Sequence, residues 1–422
     1  MAIPRFRPSL GMTEFKTGVC FLATTTFVPG GNCDKGCEQI RAFEEEFARL
    51  MGRKHAIAVP SARVGFNLLF RALDLKPGTE MVLPAYTHPS VPLMIREMGF
   101  DIRWADVSES SFTVTPATIE KGLSENTGVI IPTHLYGFPC NMKKLKKLAD
   151  DAGAVVIEDC AQACGAGVDG RRVGTFGLAA VYSFGITKNL TALGGGLVLC
   201  DDDSLAEFIR SETATYRMLP QGKMIKDIIM AMAMMVVTQR VVFPHLVKPF
   251  LVLYRRFTGR DLLDALFAED VSAMQGLPVT YFNRAHRPMQ AVIGRCQLQR
   301  LDEMNKQRRT IADEFRNAFA GEKNIGLPEI LPGATPVYPT FPVTVPSHRS
   351  KLAARLQAEG IDCSEGFIPD CTALSYCGGG ESSAPGAAYL ADRVLHLPVY
   401  PALDEEEIGM IADIVPRVLK NV

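Results

Sequence analysis

Ser183-Phe-Gly-Ile-Thr-Lys188-Asn-Leu-Thr-Ala-Leu-Gly194-Gly-Gly196 grows out of an apolar run, Ala179 to Phe184, that reads as a buried strand. Earlier in the chain a second such run, Ala154 to Ile157, leads into Glu158-Asp159-Cys160-Ala161-Gln162. A lysine and an acid therefore both fall at strand ends. In an open α/β sheet the ligand crevice lies outside the carboxyl ends of the strands, where residues from separate βα units converge. Among Phe184, Ile186 and Leu190, Lys188 is expected to be partly desolvated, which disfavours its ammonium form and frees a nucleophilic amine. A carboxylate such as Asp159 facing a pyridine nitrogen keeps that nitrogen protonated, so that the ring becomes an electron sink. The pair predicts pyridoxal phosphate chemistry with Lys188 as its Schiff-base lysine. Taken singly, each residue has a plainer reading, the lysine as a solvated charge and the aspartate as a helix cap. The joint pattern is more specific: Gln162 lies just past the acid, Ser183 just before the lysine, and three glycines follow.

Outward from this pair, short apolar runs alternate with helical periodicity. Ala56 to Val59 reads as a strand, and Ser61 as the N-cap of a helix carrying Val64, Leu68, Leu69 and Leu73. A helix N-terminus there offers unpaired N–H groups and a positive dipole end, a seat for phosphate. Glu80 to Pro84, Asp101 to Val107 and Val129 to Pro132 are further strands, and Thr115-Pro116 opens a helix. This rhythm predicts a mostly parallel sheet wound by right-handed crossovers. No G-x-G-x-x-G follows the first strand and no G-x-x-x-x-G-K-[ST] occurs, which counts against dinucleotide and P-loop folds. Gly194-Gly-Gly196 is better read as close backbone passage than as a phosphate loop.

The segment Ala56 to Asp201, with Asp159, Gln162, Ser183, Lys188 and the glycines, resembles sugar aminotransferases of the DegT/StrS type, as does Val394-Leu-His-Leu-Pro-Val-Tyr-Pro401. The resemblance covers most of the chain. It implies a fold-type I transferase: residues 38–290 as a cofactor-binding large domain, residues 291–422 as a smaller α/β domain, and residues 1–37 as an arm reaching toward a partner subunit. It implies that Lys188 holds the cofactor and then moves the proton between substrate and cofactor carbons. Asp159 pairs with the pyridinium nitrogen, Gln162 bonds the ring hydroxyl, and Ser183, Ser61 and the Ala62 backbone hold phosphate. His88 takes the place of the aromatic residue that stacks on the ring. Arg63 stands where the family has a small hydroxyl residue, and binds phosphate, reaches substrate or lies solvated, with a site role the favoured reading. Asn283 matches the asparagine that completes the phosphate site from the second subunit of a homodimer, although Arg284, Ala285 and Arg287 depart from its usual surroundings. His134, in Pro132-Thr-His-Leu-Tyr-Gly137, reads equally as a structural or a site residue.

The function implied is transfer of an amino group from glutamate or glutamine to a keto sugar, linked to a nucleotide or to a lipid. Two other readings remain. Related dehydratases replace the lysine by histidine, so Lys188 favours transamination. A non-catalytic binding or regulatory protein with this fold would be expected to lose the residues retained here.

Composition agrees with a cytoplasmic enzyme. Hydrophobic residues make up 47% and charged residues 22% of 422, an ordinary globular balance that supports a large core. A formal net charge of −1 gives no general attraction to nucleic acid. Met1 to Gly11 holds no apolar run, so a cleavable secretory signal is not expected. Eleven irregularly spaced cysteines argue for reduced thiols. Neither Cys33-x3-Cys37 nor Cys160-x3-Cys164 has the spacing of a zinc knuckle, so no metal is predicted.

One stretch departs from the family pattern, a hydrophobic insertion over about 220–282. Between Lys223 and Arg260 stand seven basic residues and one acid, Asp227, around two apolar runs. Between Lys223 and Arg260 the longest uncharged run, Ile228 to Gln239, is too short for a bilayer span, which takes about 20 residues. Two readings fit. The segment lies in the interface of an anionic membrane, placing the enzyme peripherally at its inner face, or it is a helical hairpin buried at a subunit interface or over the active site.

Overall fold

The computed structural model describes residues 2–11, 13, 14, 16–18, 33–216, 221–259, 261–263, 271, 275, 276, 285–346 and 349–420. Seven strands form the central sheet: β1 (His55–Val59), β2 (Glu80–Pro84), β3 (Asp101–Ala105), β4 (Thr127–Ile130), β5 (Val155–Asp159), β6 (Ala179–Ser183) and β7 (Gly196–Cys200). They lie in the order β1-β7-β6-β5-β4-β2-β3. All are parallel except β7, which runs antiparallel to both β6 and β1. No helix intervenes between β6 and β7, and without a crossover the chain must return antiparallel. Lys188 lies on that return.

Strand alternation sends successive side chains to opposite faces. Val156 and Ile130 pack on one side of the sheet, and Ile157 and Val129 on the other. The second side is covered by helix α2 (Ala62–Ala72), whose Val64, Leu68 and Leu69 are buried, and by α3 (Asp203–Ala214). Preceding these, helix α1 (Cys33–Met51) starts inside the stretch read from sequence as arm and loop. It buries Phe43 and Phe47 against Tyr182 and Phe184 of the lysine strand.

The insertion forms helix α4 (Gln221–Val237), a π-turn over Phe243–Val247 and helix α5 (Lys248–Thr258). Helix α6 (Pro288–Leu298) and helix α7 (Leu301–Phe319) follow as separate helices. Neither proline nor glycine marks the break between them at Gln299 and Arg300. A two-stranded sheet of β8 (Phe341–Thr344) and β9 (Val394–Leu397) and helix α8 (Glu405–Lys420) complete the C-terminal part. Its Phe315, Leu395 and Val415 share one apolar cluster with Val82, Ile130 and Val156 of the large sheet. No described helix is long and apolar enough to cross a membrane.

Candidate active site

Asp159 is the last residue of β5 and is locked in place by its backbone. Its N–H donates to Pro132 O at 2.9 Å, and its carbonyl accepts from His134 N at 3.0 Å. The side chain is buried, and among the described residues its carboxylate has one hydrogen bond, accepted at Oδ1 from Ala161 N at 3.0 Å, and no ion pair. Burial raises its pKa; the Ala161 N–H, the Lys188 ammonium and His134 pull the other way. A buried acid with so little compensation calls for a cationic partner.

Lys188 acts on this carboxylate from the β6–β7 connection, where it is half-buried, as its apolar neighbours predict. The connection folds back on Phe184. Lys188 N donates to Gly185 O, Ala192 N and Gly194 N both donate to Phe184 O, and Phe184 N donates to Gly195 O. Asn189 ties the turn down through Nδ2, which donates to Cys164 O at 2.7 Å and Asn305 Oδ1 at 3.1 Å. Gly196 shows the close backbone passage expected of the glycines. A Cβ there would sit 2.6 Å from Tyr182 O and 2.7 Å from Ala62 N.

That contact brings the proposed phosphate residues to one corner. Ser183 pairs with Gly196, and Gly196 with Val59, so the ends of β6 and β1 meet across it. Ser61 is the N-cap of α2 as predicted, in extended conformation, and its side chain accepts from Val64 N at 3.4 Å. No acid occupies the first turn, and Arg63 stands there half-buried, so the corner favours an anion. His286 closes it from behind, with Nδ1 3.2 Å from Val59 O. Burial lowers its pKa to about 4, which keeps the ring neutral. Sequence reasoning missed His286, since nothing local marks it. Asn283 lies outside the described residues.

At the other side of Asp159, Gln162 is buried and its Oε1 accepts from Tyr136 N at 2.9 Å. The Tyr136 hydroxyl meets that of Tyr86 at 2.7 Å, and its ring packs edge-on against His396 of the Val394–Pro401 motif, with centroids 4.8 Å apart. His88 follows β2 at the same sheet edge, half-buried, with Nδ1 2.8 Å from Ser90 Oγ.

Beneath Asp159 lies a trio that could be mistaken for a metal site. The ligand atoms of His134, Glu158 and Cys160 fall within 4.8 Å of one another, and all three residues are buried. Their donors and acceptors are already engaged. Glu158 Oε1 accepts from Phe176 N and Gly177 N, and Oε2 accepts from Gly174 N, all at 2.7 Å. His134 Nδ1 accepts from Cys140 N at 3.0 Å, leaving Nε2 to donate to Glu158 Oε2 at 3.1 Å. Burial pushes the Cys160 thiol up to about 12. The trio is a brace that holds the end of β5. Glu158 could have been singled out by strand alternation, which sends it to the face opposite Asp159.

A buried acid ends one strand of a mostly parallel α/β sheet, a half-buried lysine follows the adjacent strand, and an anion-favouring corner lies beside them. The chain belongs to the DegT/DnrJ/EryC1/StrS aminotransferase family, whose family model matches residues 21–227 and 282–416, and it is an aminotransferase. It is 30% identical over 381 residues to a dTDP-3-amino-3,4,6-trideoxy-alpha-D-glucose transaminase of Streptomyces venezuelae, covering 89% of this chain and 86% of the relative. It is 30% identical over 388 residues to a UDP-N-acetyl-3-dehydro-alpha-D-glucosamine 3-aminotransferase of Acidithiobacillus ferrooxidans, covering 90% and 89%. Among solved structures, S. venezuelae DesV in complex with a ketimine intermediate superposes with a TM-score of 0.75 at 26% identity, covering 100% of this chain and 99% of that one.

Proposed function

We propose that this aminotransferase uses pyridoxal phosphate and delivers an amino group from glutamate or glutamine to a nucleotide-linked keto sugar. The observation that carries the reading is the buried, singly hydrogen-bonded carboxylate of Asp159 with Lys188 acting on it. Pyridoxal phosphate, when bound, supplies the electron sink for the bond changes at the amine carbon. Asp159 keeps a proton on the ring nitrogen, and the cation it faces relieves the cost of its burial. Lys188 holds the cofactor through its amine. When free, that amine would move the proton at the substrate carbon as base and then acid. Ser183, Ser61 and the N-terminus of α2 bind phosphate, with Arg63 adding charge toward phosphate or substrate. Gln162 bonds the ring hydroxyl and His88 stacks on the ring. Asn283 serves the partner subunit's phosphate site in a homodimer. The nucleotide-linked acceptor is supported by the names of the two relatives, which act on dTDP- and UDP-linked sugars.

The test is amination by the purified protein with pyridoxal phosphate, comparing dTDP-, UDP- and lipid-linked keto sugars with the free sugars, and glutamate with glutamine. The expected result is an amino sugar, detected by mass, from a nucleotide-linked acceptor and not from the free sugar. Cofactor-loaded protein that aminates none of them would overturn the assignment.

A further inference from the structure

Eleven large apolar side chains stand exposed among the described residues, and ten of them lie between Ile229 and Phe257. All ten fall in 228–281, the internal stretch that the family model skips. The inner side of the insertion is conventional. Ala231, Met234, Phe243 and Leu251 are buried, and Ala231 and Met235 border a small apolar cavity with Leu193 of the lysine loop. Arg240 pairs with Asp404 and Glu406, and Arg255 with Glu365 at 2.8 Å, which fastens the two helices to the C-terminal part.

The outer side is the anomaly. Leu246, Phe250, Leu253 and Phe257 recur at helical spacing along one stripe, and Ile229 and Val241 are exposed as well. Leu246 is 70% exposed and Phe257 80%. From Ile228 to Val237 there is no polar side chain. Protein interfaces carry about one hydrogen bond per 100–200 Å²; this helix face has no side chain to make one, and acyl chains ask for none. Residues 223–260 hold seven basic residues and one acid; with Arg240 and Arg255 paired to C-terminal acids, Lys226 and Arg256 are the exposed cations of the two helices among the described residues. A two-fold pairing of this face with itself would oppose like charges, whereas lipid phosphates complement them. Lys226 and Arg256 are exposed at the edges of the apolar surface, where headgroups would lie.

We infer that α4 and α5 form an in-plane membrane anchor. Their outward apolar face enters the headgroup and acyl boundary of an anionic leaflet, and Lys226 and Arg256 engage lipid phosphates. The anchor would hold the active-site loop beside a bilayer surface without crossing it.

Vesicle flotation of the full-length protein tests this independently of catalysis. The expected result is binding at low salt to phosphatidylcholine vesicles containing phosphatidylglycerol, weaker binding at high salt, and little binding to phosphatidylcholine alone. F250E/F257E and, separately, K226E/R256E should each weaken it by at least about 10-fold. Both variants should keep the parent's circular dichroism and elution volume. Wild-type protein that stays off anionic vesicles at low salt, or binding undiminished by both variants, would overturn the proposal. Loss of the oligomer in F250E/F257E, with no vesicle binding by the wild type, would assign the face to a second copy instead.

Discussion

The lysine loop and the insertion lie against each other and obey opposite rules. Between Phe184 and Gly196 the chain folds back on its own backbone hydrogen bonds and leaves no room for added atoms at Gly194, Gly195 and Gly196, where a single Cβ at Gly196 would collide with two backbones. Between Ile229 and Phe257 the inner half packs in the same way, but the outer half leaves its apolar side chains in water. The first region is expensive to alter because its hydrogen bonds and close packing fix the position of Lys188. The second is cheap to alter in the isolated protein because its outer face contributes nothing to the fold. Its cost belongs to whatever covers it.

Substitutions can break or sharpen that contrast, and the largest effect is expected at Lys188. K188A should lower transamination by about 10⁴-fold or more while leaving the thermal melt near that of the parent, measured by single-turnover kinetics and calorimetry. Next, E158A removes the acceptor for three buried amides and His134, and should cost about 3–5 kcal/mol of stability in denaturant titration. Burial works to raise the Glu158 pKa, yet His134 and the Gly177 and Gly174 amides hold it below the ordinary value. Its contribution is therefore present at neutral pH and is lost as pH falls through that depressed value.

G196A should cost about 1–3 kcal/mol by overpacking, and should weaken phosphate retention by displacing the N-terminus of α2. Asp159 has the opposite sign to Glu158. Its folded pKa is raised, so the native state is penalised once pH exceeds the unfolded value of about 3.9. D159N should therefore stabilise the cofactor-free protein at neutral pH, a gain that disappears as pH falls below the unfolded value of about 3.9, while activity drops. The smallest effect belongs to the outer face: V241T should change stability by less than about 0.5 kcal/mol. A large loss there would mean that the face is packed within the monomer, and the contrast would fail.

Much of the site is legible in the linear chain because strand ends are legible. Asp159 and Lys188 each follow an apolar run, and Ser61 sits before a periodic one, so the topology of an α/β sheet places all three at one edge. The reversed direction of β7 is not readable from its residues, since a buried strand has the same composition either way; only the missing crossover helix betrays it. The break between α6 and α7 carries no proline or glycine. His286 and His396 reach the site from distant segments through tertiary packing alone. In the insertion the alternation of apolar and basic runs is plain. Which arginines are used to fasten it is hidden, because their partners Asp404, Glu406 and Glu365 lie more than a hundred residues away.

The central claim is that Lys188 and Asp159 work together on pyridoxal phosphate. Its most direct test is the visible absorption spectrum of the purified protein loaded with that cofactor, before and after glutamate, beside K188A. A visible band that requires Lys188 and is bleached by glutamate is the predicted result. Well-folded protein that shows no such band, or a band indifferent to K188A, would contradict it and leave a fold that has kept the site's geometry without its chemistry.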